Sequence, residues 1–337
     1  MKVLVTGGTG YIGSHTVVEL LQTGYEVVIL DNLCNSSRTV LSRIEQITKK
    51  SPVFVEGDIR DRELLDHLFS QHKITAVLHF AGLKAVGESV KDPLSYYNNN
   101  VAGSITLLES MAKAGIFHFV FSSSATVYGG PAEIPIKESS GTGNPTNPYG
   151  YSKLMVEHIL EHLSLSNAQW SIAVLRYFNP IGAHNSGLIG EDPRGIPNNL
   201  LPYLSQVAIG QLQELSVYGN DYPTKDGTGI RDYIHVVDLA AGHLAALSYI
   251  CENRGHHIWN LGTGTGYSVL EIISAFEQVS HLEIPFRFVP RRSGDIAACW
   301  ADPTKARTEL GWEATRTLSD MLKNTWNWQT KNPKGYL

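Results

Sequence analysis

Residues 3–13 read Val3-Leu4-Val5-Thr6-Gly7-Gly8-Thr9-Gly10-Tyr11-Ile12-Gly13. This stretch decides the fold, because an apolar run that predicts a buried strand is followed at once by three spaced glycines and a helical pattern that runs to Gln22. Such glycines permit a tight turn and let the backbone approach a pyrophosphate, whose charge then faces the helix N-terminus. A glycine-rich turn without a ligand is the alternative, and residues farther along the chain must decide between the two.

The apolar runs beyond this turn predict a parallel sheet covered by helices on both faces, because short buried strands alternate with amphipathic stretches. The further predicted strands span residues 27–30, 53–55, 76–80, 117–121 and 172–175. The alternation ends after Asn179, where residues 180–200 are rich in Gly, Pro and Asn. We therefore predict an α/β fold, with a doubly wound Rossmann domain over residues 1–179. A smaller mixed α/β lobe is expected over residues 180–337, with a boundary that is discontinuous in detail.

The composition is typical of an ordinary globular enzyme. Of the 337 residues, 42% are hydrophobic and 18% charged, which argues against wholesale disorder. A net charge of -5 without a basic cluster argues against a nucleic-acid partner. The three separated cysteines indicate neither a disulfide framework nor a metal site. The N-terminal apolar run is too short for a signal peptide or a membrane span, so we expect a cytoplasmic protein that binds neither metal nor membrane.

Two aspartates follow the second and third predicted strands and favour a dinucleotide over an empty turn. Asp31 ends the second strand, where its carboxylate can accept hydrogen bonds from both adenosine-ribose hydroxyls and would repel a 2′-phosphate. This position favours NAD over NADP. Asp58 follows the third strand and can meet the adenine edge, although it could instead cap the helix that begins near Arg60.

A second glycine cluster, at Gly262, Gly264 and Gly266, also lies between a strand and a helix. We interpret it as a turn with Ser268 as the helix N-cap, and not as a second dinucleotide site. The next predicted strand, over residues 286–289, ends in two arginines, whereas a ribose-binding strand would end in an acid.

Catalytic chemistry is predicted at Tyr149 and Lys153. Residues four apart on a helix share a face, so the phenol and the ammonium can point into one site. A neighbouring cation and the positive nicotinamide ring favour the phenolate, which makes Tyr149 a candidate general base at neutral pH. Tyr151 is only two residues from the lysine and faces elsewhere. A Tyr and a Lys four apart are also common surface neighbours, and it is the upstream glycine turn that favours the catalytic interpretation.

A run of hydroxyl side chains, Ser122 to Ser124, ends the strand near Phe121. A hydroxyl at the carboxyl end of a central strand can bond both a substrate oxygen and the tyrosine phenol. We predict that role for Ser124, whereas Ser122 and Ser123 could belong to a serine-rich loop without a role in the site.

Together, the glycine turn, the Ser124 segment and the Tyr149/Lys153 pair resemble the extended short-chain dehydrogenase/reductase superfamily. Three longer stretches are similar to bacterial members of one of its families, the UDP-glucose 4-epimerases. These stretches are His79-Phe80-Ala81-Gly82-Leu83-Lys84-Ala85-Val86-Gly87-Glu88-Ser89, Arg176-Tyr177-Phe178-Asn179-Pro180 and Arg231-Asp232-Tyr233-Ile234-His235-Val236. The resemblance covers essentially the whole chain.

The resemblance implies a complete set of site residues. Those that would hold NAD are Gly7, Gly10, Tyr11, Ile12, Gly13, Asp31, Asn32, Asn35, Ser36, Asp58, Ile59, Phe80, Ala81, Gly82, Lys84, Asn99, Ser124, Tyr149, Lys153 and Phe178. The catalytic residues would be Tyr149, Lys153 and Ser124. Those that would hold a UDP-sugar are Lys84, Ser124, Tyr149, Asn179, Asn199, Leu200, Ser216, Tyr218, Arg231, Tyr233, Arg292, Asp295 and Cys299. Arg231 and Arg292 suit the diphosphate and Asp295 the uridine ribose, although Arg292 and Asp295 could instead form a surface ion pair.

The implied reaction is 4-epimerisation of a UDP-hexose through a transient 4-keto sugar and NADH. A sugar-nucleotide 4,6-dehydratase shares the fold but needs an extra acid and base beside the active-site hydroxyl, where this chain has Ala125 and Thr126. Sugar-nucleotide decarboxylases are disfavoured on similar grounds. A non-catalytic NAD-binding regulator would have no reason to keep both Tyr149 and Lys153.

Substrate breadth and oligomeric state are also expectations from the resemblance. Galactose-restricted bacterial members carry tyrosine where this chain has Cys299, and members that accept N-acetylated sugars carry a smaller side chain. We therefore expect activity on UDP-N-acetylglucosamine and UDP-N-acetylgalactosamine as well as on the plain hexoses. Cys299 could also be no more than a small buried hydrophobe. A homodimer is expected, with contacts from helices around residues 95–113 and 149–163.

Overall fold

The structure is a computed structural model that describes residues 1–131, 133–292 and 294–337. Its strands are β1 (Lys2–Thr6), β2 (Glu26–Asp31), β3 (Val53–Glu56), β4 (Ala76–His79), β5 (His118–Ser124), β6 (Ser171–Tyr177), β7 (Asn179–Ile181), β8 (Leu215–Tyr218), β9 (Ile230–His235), β10 (Gly255–Leu261), β11 (Gly266–Ser268), β12 (Phe286–Val289) and β13 (Ala298–Cys299). The predicted strands of the first half are all present and differ from the predicted bounds by only a few residues.

The helices alternate with these strands in the first half of the chain. They are α1 (Tyr11–Gln22), α2 (Thr39–Thr48), α3 (Arg62–Gln71), α4 (Val86–Lys91), α5 (Pro93–Tyr96), α6 (Gly103–Lys113), α7 (Pro148–Ser166), α8 (Leu200–Ala208), α9 (Val236–Glu252), α10 (Val269–Ser280), α11 (Thr304–Leu310) and α12 (Leu318–Lys331). A π-helical segment, Tyr97–Ala102, joins α5 to α6, and a single 3₁₀ turn, Ala125–Tyr128, follows β5. Within the described residues, no helix is both long and apolar enough to span a membrane.

In the described part of the chain, seven strands form one parallel sheet in the order β10-β6-β5-β4-β1-β2-β3. Alternate residues of each strand point to opposite faces. Leu4 therefore packs on one side, against α3, α6 and α7, while Val3 and Val5 pack on the other, against α1, α2 and α9. This arrangement is the predicted doubly wound α/β fold. The strand order reverses between β1 and β4, and ligands of such sheets bind at that switch point.

The second lobe packs over the carboxyl ends of the sheet strands. It contains β9 with its neighbours β7, β11 and β13, and the parallel pair β8–β12. Helices α8, α10 and α12 enclose a separate apolar core around Phe276. The chain returns to the first domain after residue 180, because α9 covers the large sheet and β10 forms its outer edge beside β6. A short-range sequence pattern gives no sign of this return, since strand neighbours are decided by tertiary packing.

The second glycine cluster is a turn, as predicted. Ser268 caps α10, and its side chain forms a capping box with Glu271. The buried carboxylate of Asp232 accepts hydrogen bonds from the Thr263 and Gly264 amides. A side chain at Gly262 would clash with that carboxylate, since its Cβ would lie 2.5 Å from Oδ2. Gly262 therefore serves packing around an internal acid.

Candidate active site

One large cavity opens at the switch point, between the sheet and the second lobe. Its volume is about 860 Å³. Except for Asp58 and Cys299, every site residue named from the sequence lines this cavity. The structure therefore brings together side chains that lie up to nearly three hundred positions apart in sequence, from Gly7 to Asp295.

The glycine turn forms a cradle at the N-terminus of α1. Gly7 has a φ of +70°, which favours glycine, and a Cβ there would lie 2.6 Å from the Ala81 nitrogen. A Cβ at Gly13 would lie 2.2 Å from the Gly7 oxygen. Gly10 occupies the N-cap position of α1, where no side chain caps the helix. The first-turn amide groups are thus accessible to an anion, which is the donor set that a pyrophosphate requires.

Asp31 is fixed at the end of β2 with its carboxylate facing the cavity. It accepts hydrogen bonds from the Thr9 amide at 3.0 Å, the Leu33 amide at 2.9 Å and the Ser36 hydroxyl at 3.0 Å. These contacts hold both oxygens in a defined orientation at the edge of the cradle. The orientation suits a pair of ribose hydroxyls.

Asp58 does not line the cavity and does not cap α3, whose N-cap is Asp61. Its carboxylate instead pairs with Arg60 and accepts a hydrogen bond from Asn32 at 3.0 Å. The Arg60 side chain lowers the pKa of Asp58 to about 2. Asp58 therefore contacts Asn32, which does line the cavity, and supports that side chain from behind.

The three predicted catalytic side chains meet in the cavity because two elements end there. Ser124 is the last residue of β5 and has an extended backbone. Helix α7 begins just before Tyr149, since Asn147 caps it by accepting from the Gly150 amide at 2.9 Å and Pro148 occupies its first turn. Lys153 follows one turn later on the same face, and its ammonium donates to the Ser122 carbonyl at 2.8 Å.

Burial is the largest influence on the pKa values of both Tyr149 and Lys153. It raises the pKa of Tyr149, and the facing Ser124 hydroxyl opposes that shift. Burial lowers the pKa of Lys153 to about 8, and the negative charge of Glu157 opposes that change. The sequence predicts a tyrosine whose pKa is lowered by the lysine. In the structure desolvation by burial is the largest influence on this pKa, and the ammonium lies 5.9 Å from the centre of the phenol ring.

The far end of the cavity holds two arginines in different settings. Arg231 pairs with Asp295 at 3.2 Å, whereas Arg292 stacks over the Tyr218 ring with its guanidinium carbon 3.9 Å from the ring centre. The ion pair that the sequence suggests between Arg292 and Asp295 is therefore replaced by one between Arg231 and Asp295. Ser293, which lies between the two motif residues, is outside the described residues.

Glu191 lines the cavity although the sequence analysis does not single it out. Its side chain is only 10% exposed and pairs with Lys84 at 3.1 Å. The same oxygen accepts a hydrogen bond from Asn199 at 3.0 Å. Glu191 thus joins a residue expected at the cofactor to one expected at the substrate. The surrounding run of Gly and Pro predicts a loop, but no local pattern indicates which acid of that loop faces inward.

Three other lining residues also escape sequence reasoning. Arg194 donates to the Ser36 carbonyl at 3.0 Å, which draws the loop of residues 182–199 across the cavity. Tyr336, near the C-terminus, holds the same loop by accepting from the Gly190 amide at 3.0 Å. Thr126 has a buried hydroxyl without a hydrogen-bond partner. The contacts of Arg194 and Tyr336 join segments far apart in sequence, so only the folded chain reveals them.

Cys299 lies behind the cavity wall. It is 8% exposed and packs with Val127, Leu154 and Phe178 in a small apolar cluster. Strand β13 pairs with β9 and places Cys299 opposite Arg231. Phe178 and Arg231 both line the cavity, so Cys299 can influence the site through these two neighbours. Burial raises the pKa of the Cys299 thiol to about 11, which does not favour a nucleophile.

Comparison with known proteins agrees with this geometry. The family model described as GDP-mannose 4,6 dehydratase matches residues 4–325. The chain is a member of the extended short-chain dehydrogenase/reductase superfamily. This class is defined by the fold, the glycine cradle and the Tyr149/Lys153 pair. The chain is 62% identical over 336 residues to the UDP-glucose 4-epimerase of Pasteurella multocida, with 100% of this chain and 99% of that protein covered. It belongs to the UDP-glucose 4-epimerase family.

Solved structures support the same assignment. The UDP-glucose 4-epimerase of Bifidobacterium longum, in complex with NAD+ and UDP, superposes with a TM-score of 0.97 at 55% identity, over 99% of this chain and all of that one. The enzyme of Stenotrophomonas maltophila, with bound NAD and a formylated UDP-arabinopyranose, has a TM-score of 0.97 at 54% identity, over 99% of each chain.

Proposed function

We propose that the protein is an isomerase that interconverts UDP-glucose and UDP-galactose by NAD-dependent 4-epimerisation through a transient 4-keto sugar. One observation carries the proposal. Ser124, Tyr149 and Lys153 converge in the same cavity as a glycine cradle at one end and two arginines at the other. A dinucleotide and a nucleoside diphosphate sugar can therefore meet at the tyrosine.

The cradle fits NAD. The turn at Gly7 and Gly13 has no room for side chains, and the α1 amide groups behind it are uncapped. When bound, NAD accepts a hydride from carbon 4 of the sugar and later returns it. The residues that would hold it are Gly7, Gly10, Tyr11, Ile12, Gly13, Asp31, Asn32, Asn35, Ser36, Ile59, Phe80, Ala81, Gly82, Lys84, Asn99, Ser124, Tyr149, Lys153 and Phe178, with Asp58 supporting them from behind.

Asp31 supports the choice of NAD over NADP. Its carboxylate is fixed by three hydrogen bonds and would repel a 2′-phosphate. Reconstitution of cofactor-free protein with each dinucleotide tests this choice. Asp31→Ser should narrow the preference for NAD, and equal affinity of the wild-type protein for both dinucleotides would remove Asp31 from this role.

The proton is handled by Tyr149. Its phenolate takes the proton of the sugar 4-hydroxyl, and its phenol returns a proton when the opposite epimer forms. Ser124 bonds both the sugar oxygen and the phenol, which aligns them. Because burial raises the pKa of Tyr149, the Lys153 charge and the positive charge of the bound cofactor must together offset that burial.

The UDP moiety is held at the far end while the sugar is free to rotate. Arg231 and Arg292 provide charge-assisted bonds to the diphosphate, and Asp295 accepts from the uridine ribose. The further residues proposed to contact the UDP-sugar are Lys84, Asn179, Asn199, Leu200, Ser216, Tyr218 and Tyr233, which all line the cavity. Epimerisation requires this asymmetry, since the 4-keto sugar must present its other face while UDP stays bound.

The finer proposal is that N-acetylated UDP-hexoses are also substrates. A 2-acetamido group sweeps a larger volume than a hydroxyl when the sugar rotates. Cys299 and Phe178 belong to one buried cluster, and a cysteine adds less bulk behind that wall of the cavity than a tyrosine would. An assay with the four UDP-sugars, plain and N-acetylated, measures the breadth directly.

Two other functions fit the fold less well. A 4,6-dehydratase needs an acid and a base next to Ser124, where Ala125 and Thr126 stand. A non-catalytic regulator would not need the buried Tyr149 and Lys153. The deciding experiment is to purify the protein, measure bound NAD, and follow conversion of UDP-glucose without added cofactor. Turnover to UDP-galactose supports epimerisation, whereas loss of water from the sugar or no reaction at all contradicts it.

The proposed assembly is a homodimer through α6 and α7. Exposed apolar side chains occur there at Ile105, Tyr151 and Met155, and Leu94 on the adjoining α5 is 78% exposed. Met155→Glu should dissociate the dimer in sedimentation equilibrium, whereas Leu165→Glu, at the far end of α7, should not.

The absence of disulfides among the three cysteines supports a reducing compartment, the cytoplasm.

A further inference from the structure

A buried acid lies one helical turn beyond the catalytic lysine. Glu157 is 4% exposed and receives two parallel hydrogen bonds from Arg176, Nε to Oε1 at 3.0 Å and Nη2 to Oε2 at 2.6 Å. It also accepts a short hydrogen bond from the Ser123 hydroxyl. None of these three described residues lines the cavity. The mechanism proposed above does not use them.

The network is connected to the chemistry through the end of β5. Ser123 stands between Ser122, whose carbonyl receives the Lys153 ammonium, and Ser124. Successive strand residues point to opposite faces, so the Ser123 hydroxyl points away from the cavity and meets Glu157. The end of β5 and α7 are therefore joined by two bonds, one from the Lys153 ammonium to the Ser122 carbonyl and one from the Ser123 hydroxyl to Glu157.

We infer that Glu157 is a positioning residue that fixes how α7 lies along strand β5. It thereby aligns Lys153 and Ser124 with Tyr149. The inference rests on the proposed function. Apolar burial is non-directional, whereas the hydrogen bonds from Ser123 and Arg176 each require one geometry. The three residues Tyr149, Lys153 and Glu157 are spaced four apart and share one helix face.

Glu157 also supplies a negative charge one helical turn from Lys153. Its carboxylate raises the pKa of the lysine against the effect of burial. The other titratable groups around the ammonium are uncharged at neutral pH, because burial lowers the pKa of His79 to about 3 and raises those of Tyr149 and Tyr177. Arg176 is the remaining charged neighbour, and its charge is compensated by the ion pair with Glu157.

Ser123→Ala tests the positioning role without threatening the fold. It removes the hydrogen bond from Ser123 to Glu157 and leaves the ion pair between Glu157 and Arg176 intact. We expect kcat to fall roughly tenfold to a hundredfold, the range for the loss of one hydrogen bond to a charged group. KM, NAD content and the pH profile should stay as in the wild type. Ser171→Ala is the matched control, since this serine is equally buried but lies at the opposite end of the sheet. Equal kcat values for the two variants would overturn the inference.

Glu157→Gln tests the charge. Loss of the carboxylate should lower the pKa of Lys153 further, so the fall in kcat that we expect when Lys153 loses its proton should move to lower pH. Because an unpaired Arg176 can prevent folding, the double variant Glu157→Met/Arg176→Met replaces the whole pair by apolar side chains. A double variant that folds, binds NAD and keeps wild-type kcat at every pH would contradict the inference. If the wild-type protein shows no epimerase turnover, that result contradicts the proposed function itself and not only the role of Glu157.

Discussion

The Lys153 ammonium lies 5.9 Å from the centre of the Tyr149 ring and 2.8 Å from the Ser122 carbonyl oxygen. The lysine is thus held by the strand and acts on the phenol through space. In the proposed mechanism this relationship gives the two residues separable roles, since one would exchange the proton and the other would set the charge around it.

Tyr149→Phe should retain cofactor and UDP binding but lose about 10²-fold to 10⁴-fold in kcat, because only the proton acceptor is removed. The measurement is turnover of UDP-glucose together with NAD content and UDP affinity. Tyr151→Phe is the matched control, since Tyr151 is 38% exposed and faces away from the lysine. Near wild-type turnover of the Tyr149 variant would remove the tyrosine from its role.

Lys153→Met should lower activity and raise the pH that activity requires. The raised pKa of Tyr149 is then no longer offset by the ammonium, so a larger share of the phenol stays protonated at neutral pH. The check is kcat as a function of pH for the variant, the wild type and Lys113→Met, whose lysine forms an exposed pair with Asp66. An unchanged profile for Lys153→Met would show that the lysine does not tune the base.

Arg292→Gln should raise KM for the UDP-sugar roughly tenfold to a hundredfold, the range expected for a lost hydrogen bond to a charged group, while kcat changes little. The neighbouring Arg291 provides a close control. It stacks over Tyr222 at 4.1 Å, much as Arg292 stacks over Tyr218, but it pairs with Asp221 and does not line the cavity. If both arginine variants raise KM equally, Arg292 has no specific contact with the diphosphate.

Cys299→Tyr should depress turnover of UDP-N-acetylglucosamine selectively. The added ring must fit into the cluster behind Phe178, and overpacking of this kind costs about 1–3 kcal/mol. We expect roughly a tenfold to hundredfold loss for the N-acetyl reaction, while the plain hexose reaction is largely spared. Cys299→Ala controls for loss of the thiol. Failure of the wild type to turn over the N-acetylated sugar, or equal loss of both activities in the tyrosine variant, contradicts the gating role.

Acid should destabilise the protein through His79. Burial lowers the pKa of this ring from 6.5 to about 3, so below pH 6.5 the unfolded chain binds a proton that the folded chain does not. The stabilising contribution is complete above pH 6.5 and falls by about 1.4 kcal/mol per pH unit down to about pH 3.

His79→Gln should reduce this dependence when the free energy of unfolding is measured at pH 7 and at pH 5. His158→Gln is the control, because its imidazole is 58% exposed. A wild-type protein whose unfolding free energy is the same at both pH values would refute the prediction.

Much of the architecture follows from local sequence. Periodic apolar runs predict the parallel strands, and the turn around Gly7 predicts the cradle, because both depend on residues a few positions apart. The cap at Ser268 is predictable for the same reason. The return of α9 and β10 to the first domain is not, since nothing local to β10 specifies β6 as its neighbour.

The sequence by itself determined the chemistry available to this protein, namely a glycine cradle, an acid at Asp31 placed to bind a ribose, and a Tyr149/Lys153 pair on one helix face. Only the tertiary structure decided how those groups are arranged and charged. It paired Asp295 with Arg231, placed Cys299 behind Phe178, brought Glu191 to the cavity and joined Glu157 to Ser123 behind it. The physical reason is that helix periodicity and turn geometry are local, whereas burial and ion pairing depend on which distant segments pack together.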